Sequence, residues 1–379
     1  MFGKGIRLFS LAGFDVRVDL SWLVIAVLVT WSLAAGVFPA YYEGLSTWVY
    51  WWMGVFGAIG LFLSVIVHEL AHSLVARRFG LPMKGITLFL FGGVAEMEDE
   101  PPGPKAEFLM ALAGPGMSVI IGLVLLGVLA LSRGAAWPDP VYGVVSYLGF
   151  INLVLAAFNL LPAFPLDGGR LLRAALWGRM GDLRRSTRIA SRVGSLFGFG
   201  LIGVGVVFFI RGALIGGIWW FLIGLFVRQS ASGAYQNVLV RGVLHGETVR
   251  RFMNDDPITV PSSITIAELV EDYVYRHHFK MFPVVDGEEL RGCITTGDVK
   301  GIPRERWSEE RVVEHLEPCS TENAVQPETD ALTALKLMRD TKKSRLLVVQ
   351  DGRIVGVLTL KDLMEYLALK LNLEGGEAM

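Results

Sequence analysis

The stretch Leu61-Phe62-Leu63-Ser64-Val65-Ile66-Val67-His68-Glu69-Leu70-Ala71-His72-Ser73-Leu74-Val75 places three ionisable side chains close together near the end of an apolar run, Trp48 to Val75. A run of that length crosses a hydrocarbon layer of about 30 Å as a helix. Helical residues four apart share a face, so His68 and His72 can turn both imidazoles toward one ion while Glu69 lies beside them as a base for a water molecule. An ionisable residue within a span costs about 2.5–3.5 kcal/mol on insertion scales, so this group needs a polar cavity or an ion to face. Catalytic zinc sites use neutral His and carboxylate ligands and keep one position open to water. The chain has only six histidines, which makes a chance match of this spacing a poor explanation.

Catalytic zinc usually takes three protein ligands. The apolar half of the chain holds no further His, so a carboxylate must complete the set. Asp167 closes Asn159-Leu160-Leu161-Pro162-Ala163-Phe164-Pro165-Leu166-Asp167-Gly168-Gly169, where two prolines end a span and two glycines permit a turn. The competing carboxylates Glu96, Glu98, Asp99 and Glu100 form a charge run of the kind that usually faces solvent. Asn152 and Asn159 fall on one helical face seven residues apart. A buried amide must hydrogen-bond something: either the two tie helices together, or one of them supports a substrate carbonyl or oxyanion.

Composition agrees with a membrane setting. Of 379 residues, 53% are hydrophobic and 19% charged, against about 25% charged in a typical soluble domain. The apolar excess lies before about Arg228, and charge is frequent beyond Arg241. Six stretches are candidate spans: Leu20 to Pro39, Trp48 to Val75, Ala106 to Leu131, Tyr142 to Ala163, Val193 to Ile210 and Ala213 to Val227. The first lacks a small-residue cleavage site followed by a polar mature chain, so it reads as a retained span and not a signal peptide.

Positive charge collects at alternate ends. Lys4, Arg7 and Arg17, then Arg77, Arg78 and Lys84, then Arg170 to Arg188, then Arg228 and Arg241 mark one side; the other holds few, Arg133 and Arg211 among them. By the positive-inside rule both termini face the cytoplasm and the chain sits as a multi-pass protein in the cell membrane. Between the second and third spans, residues 83–96 are β-rich, too short to cross, and broken by Gly92-Gly93, which fits a re-entrant hairpin whose edge could pair with an extended peptide. A plain connecting hairpin fits as well.

The formal net charge of -1 and the absence of a basic patch argue against a nucleic-acid partner. The two cysteines, Cys293 and Cys319, have no metal-ligand spacing and suit a reducing compartment as structural thiols. The polar half is an internal repeat. Thr295 and Asp298 recur as Thr359 and Asp362, 64 residues on, each after a strand, a turn and a second strand, with amphipathic helices expected at Ile266 to Tyr275 and Leu332 to Met338. Two α/β units sharing one core follow.

His68-Glu69-Leu70-Ala71-His72, Ala113-Gly114-Pro115 and the Asn159 to Gly169 motif together resemble the site-2 protease family of intramembrane zinc metalloproteases, over most of Met1 to Gln229. That resemblance implies a zinc metalloendopeptidase that cuts transmembrane or membrane-adjacent protein substrates in regulated proteolysis. It implies one zinc ion on His68, His72 and Asp167, with Glu69 as catalytic base and Asn159 assisting the transition state. The family often carries an Asn shortly after Ala-Gly-Pro; here Gly116, Met117 and Ser118 stand instead, which puts a secondary polar contact in question.

The repeated tail resembles a tandem CBS pair (cystathionine-β-synthase type), with Gly292, Thr295, Asp298 and Gly356, Thr359, Asp362 in the Gly-x-x-Thr-x-x-Asp pattern. That likeness implies ATP, ADP or AMP binding through Thr295, Asp298, Thr359 and Asp362, modulation of the protease by nucleotide, and a homodimer. The alternative for each Asp is a cap on the helix that follows it.

The fold class expected is therefore a polytopic α-helical membrane protein of about six transmembrane helices with a re-entrant β-hairpin, plus a cytosolic α/β tandem CBS domain. The expected division is a transmembrane metalloprotease domain over 1–230, a linker over 231–250, CBS repeats over 251–306 and 307–372, and a tail over 373–379. Two rivals stay open: a transporter or channel gated by the repeat pair, against which no inverted repeat is seen, and an inactive scaffold, which would have no use for Glu69.

Overall fold

The computed structural model describes residues 6–89, 92–97, 100–131 and 137–374, without the side chains of 83, 84, 92, 94–97, 215, 371 and 374. Lys4, Glu98, Asp99 and Arg133, residues 90–91 of the expected hairpin and residues 375–379 of the expected tail lie outside the described residues. The chain divides into two compact units, Met1–Gln236 and Asn237–Met379.

The first unit opens with two strands that the sequence reading does not anticipate, β1 (Ile6–Leu11) and β2 (Phe14–Val18). The expected hairpin follows as β3 (Met83–Phe89) and β4 (Gly92–Met97). All four form one sheet in the order β1-β2-β3-β4, with β2 parallel to β3 and β4 at an edge. Charged Arg7, Asp15 and Arg17 interrupt the apolar pattern of β1 and β2. The buried Val16, Val18 and Leu88 nevertheless pack against Ile66, two residues before His68.

Among the described residues, five helices are long and apolar enough to cross a membrane: α1 (Leu20–Tyr41), α2 (Thr47–Arg78), α3 (Pro104–Leu131), α4 (Asp139–Asn159) and, after the shorter α5 (Asp167–Met180), α6 (Leu183–Ile210). They match the first five expected spans, except that the fourth ends at Asn159 and not at Ala163, because Leu160 to Ala163 already belong to the turn that Pro162 and Pro165 impose. The sixth expected stretch falls in the first half of α7 (Leu214–Leu244), which is not among the five.

Side-chain oxygens start three of these helices, because the first amides of a helix lack intrahelical partners. Asp19 accepts from the Ser21 amide at 2.9 Å, Ser46 from Val49 at 3.4 Å and Asp182 from Arg185 at 3.0 Å. Large apolar side chains point outward along the spans, among them Leu23, Val27, Phe56, Leu123, Phe150 and Phe209, each more than half exposed. Water would penalise such a surface, whereas lipid accepts it. Polar atoms turn inward instead: Ser64, His68, His72, Ser118 and Asn152 are all buried.

The second unit holds the repeat. A four-stranded sheet has the order β5-β6-β7-β8 (Val260–Pro261, Met281–Asp286, Glu289–Thr295, Glu317–Pro318). A three-stranded sheet has the order β11-β10-β9 (β9 Ala324–Val325, β10 Arg345–Gln350, β11 Arg353–Thr359). The two hairpins have equivalent registers, Met281 opposite Thr295 and Arg345 opposite Thr359.

The first expected helix, α8, starts at Ile266, passes through a π-helical Leu269–Val274 and ends at Tyr275–His277; α9 (Thr296–Lys300) follows β7. The second expected helix is α10 (Ala331–Thr341), and α11 (Leu360–Glu374) follows β11. Met281, Cys293 and Leu347 form a small buried cluster that joins the two repeats.

Candidate metal centre

Helix α2 carries His68 and His72 on its buried face, and α5 starts on Asp167. The two imidazole Nε2 atoms lie 3.2 Å apart, and each lies 3.2 Å from Asp167 Oδ2. Two ring nitrogens at that distance repel through their lone pairs unless a cation or proton sits among them. Tetrahedral zinc with bonds of about 2.0–2.1 Å separates its ligands by about 3.3 Å, so the triangle fits the ion without rearrangement. No other group of three such ligands occurs among the described residues.

Neighbouring helices fix the ring orientations. His72 Nδ1 donates to the Met110 carbonyl at 2.6 Å, which leaves Nε2 with its lone pair toward the triangle. His68 Nδ1 meets Ser118 Oγ at 2.9 Å. The polar contact left in question by the sequence around Ala113-Gly114-Pro115 is thus supplied by a serine hydroxyl.

Gly114 accounts for the close approach of α3. A Cβ there would lie 2.2 Å from His72 Nε2 and 2.5 Å from His68 Nε2, so any other residue occupies the ion's side of the rings. Gly168 plays a comparable part for Asp167. Its missing Cβ would fall 2.3 Å from the Leu160 and Leu161 carbonyl oxygens, so the glycine lets α5 start directly against the loop that leads to it.

Glu69, next to His68, lies against the hairpin. A Cβ on Gly93 of β4 would meet its Cγ at 2.7 Å and its Oε1 at 3.3 Å. The edge strand therefore passes directly over the carboxylate that the sequence nominates as base.

The two asparagines differ. Asn152 is fully buried, and its Nδ2 donates to Ser64 Oγ at 3.0 Å and to the Leu148 carbonyl at 2.8 Å. It ties α4 to α2 one turn before His68. Asn159 donates from Nδ2 to the Leu155 carbonyl at 3.0 Å, and no hydrogen bond links it to the three ligand residues among the described residues. Of the rival carboxylates, Glu100 pairs with Arg173 at 3.2 Å. Glu98, Asp99 and the side chain of Glu96 lie outside the described residues.

In the second unit, Thr295 and Asp298 cap α9 reciprocally: Asp298 Oδ2 accepts from the Thr295 amide at 2.8 Å and from its hydroxyl at 2.7 Å. Thr359 and Asp362 repeat this at 3.1 and 2.7 Å. A cleft of about 370 Å³ opens beside Asp298, lined also by Arg306, Glu310 and His315.

Apolar helices around a buried His-His-carboxylate triangle, with a second carboxylate beside it, define a membrane-embedded metal-dependent hydrolase. Comparison with known proteins agrees. Peptidase family M50 matches residues 56–143 and 127–201, and the CBS domain family matches 249–304 and 316–369.

A Mycobacterium tuberculosis protein named as a zinc metalloprotease, Rip3, is 36% identical over 360 residues, covering 94% of this chain and 91% of its own length. Zinc metalloprotease MJ0392 of Methanocaldococcus jannaschii is 31% identical over 369 residues, covering 96% of both chains. The solved site-2 protease from Methanocaldococcus jannaschii aligns at 31% identity and a TM-score of 0.41, covering 61% of this chain and 95% of its own. The chain belongs to peptidase family M50. It is a zinc metalloprotease of the site-2 type carrying tandem CBS domains.

Proposed function

We propose that the chain hydrolyses peptide bonds of transmembrane or membrane-adjacent protein substrates, as in regulated intramembrane proteolysis, with one zinc ion held by His68, His72 and Asp167. The observation that carries the reading is the 3.2 Å triangle of Nε2 and Oδ2 atoms beside Glu69 and under the edge strand β4. When bound there, zinc polarises the scissile carbonyl and makes water acidic enough to attack near neutral pH. Glu69 takes the proton of that water and returns it to the departing amine. Asn159 assists the oxyanion, which requires its amide to leave the Leu155 carbonyl. An extended substrate segment pairs with the free edge of β4, which brings its backbone to Glu69 and replaces hydrogen bonds it would lack in lipid.

In this reading α7 supplies a sixth span, the hairpin is re-entrant, and both termini and the CBS pair face the cytoplasm, from which water reaches the site. The division at 1–230, 231–250, 251–306, 307–372 and 373–379 describes the working parts. The CBS pair binds adenine nucleotide through Thr295 and Asp298, beside the cleft at Asp298, and through Thr359 and Asp362, modulates cleavage and associates in twos. Nucleotide binding competes with the two Thr-Asp caps, since the same oxygens serve both.

The deciding experiment is cleavage of a single-span substrate by the purified chain in detergent, with zinc, with 1,10-phenanthroline and with Glu69→Gln. Chelator-sensitive cutting absent from the variant is expected; no cutting by folded, zinc-loaded protein would refute the reading. Cysteines placed beside Asp167 should react with water-soluble thiol reagents, and failure to do so would refute water entry from the cytoplasm.

A further inference from the structure

One feature outside the ligand set is out of keeping with an apolar bundle. Arg173 of α5 and Glu107 of α3 are 4% and 1% exposed. Arg173 Nε donates to Glu107 Oε1 at 2.6 Å, its Nη2 also reaches Glu107 Oε1, and Nη2 lies 3.2 Å from Glu100 Oε2. The guanidinium also lies 5.7 Å from the centre of the Phe164 ring, in the loop just before Asp167.

A buried ion pair is a weak source of stability, since removing two charges from water costs several kcal/mol per ion and an apolar pair of the same volume usually serves as well. This one is not even saturated: among the described residues, the buried Glu107 Oε2 has no hydrogen-bond partner. Its placement supplies a reason.

Glu107, Met110, Gly114 and Ser118 are spaced three, four and four residues apart and form one buried stripe of α3. The last three are the groups that orient or admit the two imidazoles. Arg173 stands six residues after Asp167, about 9 Å along the same helix. The pair therefore locks the helix that bears the carboxylate to the stripe that aims the histidines. It fixes both rotation and axial register, because a planar guanidinium fork holds orientation as a point charge cannot.

We infer that Glu107 and Arg173 are positioning residues for the metal centre: their ion pair holds Asp167 at ligand distance from His68 and His72 and thereby sets zinc affinity. The inference rests on the proposed zinc site.

It is tested on the full chain in detergent by zinc competition titration, by the visible spectrum of the cobalt-substituted protein, and by the melting temperature of the metal-free protein. The variants are Glu107→Gln, Arg173→Lys and the double Glu107→Leu/Arg173→Leu, with Asp167→Ala as reference. Zinc affinity is expected to fall about 10–100-fold in Glu107→Gln and in the double variant, the usual effect of losing a support behind a ligand. Their cobalt spectra should move toward that of Asp167→Ala, with a smaller change in Arg173→Lys.

The metal-free double variant should melt close to the wild type, which separates positioning from folding. Should Glu107→Gln or the double variant fail to fold, the affinity and spectrum of Arg173→Lys still decide. Wild-type zinc affinity and an unchanged cobalt spectrum in folded variants would overturn this inference alone. A wild-type chain that binds no zinc, or binds it equally well after Asp167→Ala, would overturn the proposed site and this inference with it.

Discussion

Single atoms decide the chemistry of this protein. Glu69 is neither needed for the ligand triangle nor bonded within it, so Glu69→Gln should retain full zinc stoichiometry while cleavage falls by at least about 100-fold, as when a general base is lost. Metal analysis of the purified variant alongside an activity assay checks both halves. Gly114→Ala makes the opposite prediction. Alanine ordinarily gains about 1 kcal/mol over glycine in a helix, yet here its methyl would lie 2.2 Å from His72 Nε2. The variant should fold and lose its zinc, measured as metal per chain after dialysis. Ser118→Ala removes the hydroxyl 2.9 Å from His68 Nδ1 and should weaken zinc about 10-fold or more, read by chelator competition.

Elements carry different information into the sequence. His68 and His72 are legible because helical period alone puts them on one face, and Asp167 because prolines and glycines mark where a span stops. The repeat is legible because its strands, turns and caps recur at one offset. Strands β1 and β2 are not, since β2 pairs on its other side with Gly85 to Leu88, some 70 residues along the chain, and β1 reaches the sheet only through β2. Nor are Ser118, the Met110 carbonyl or the Glu107–Arg173 pair, because local pattern does not say which residue of one helix meets which of another. Asn159 illustrates the same limit: its spacing places it on the inner face, while its amide bonds one turn back along its own helix.

At this scale the packing of α6 on α7 makes a further prediction. A Cβ on Gly205 would lie 2.6 Å from the Phe221 amide nitrogen and 2.7 Å from the Gly217 carbonyl oxygen. Such contact is typical of small residues at membrane helix interfaces. Gly205→Val should cost about 1–3 kcal/mol by overpacking, seen as a lower thermal midpoint in detergent.

The molecule as a whole joins a unit of apolar helices to a repeat unit, and the two cysteines, Cys293 and Cys319, both report on the second. Burial pushes the Cys293 thiol up to about 12, so at pH 8 only on the order of one in 10,000 of these groups is thiolate. Cys319 is exposed and should take up maleimide first, with Cys293 reacting only on unfolding; equal rates in the native chain would contradict the shared core of the repeats. Cleavage measured across adenine nucleotide concentrations belongs here too: a change in rate supports regulation by the tail, and a flat response refutes it.

The triangle draws on residues 95 and 99 positions apart, on helices that leave the ribosome at different times. In the proposed site, a nascent chain that has inserted α1 to α4 already displays His68, His72 and Glu69, yet lacks Asp167 until α5 emerges and docks. The proposed site is therefore incomplete while α1 to α4 insert, and only the helices that follow α5 enter the membrane beside a full ligand set. Chains truncated before Asp167 should accordingly retain no zinc on purification.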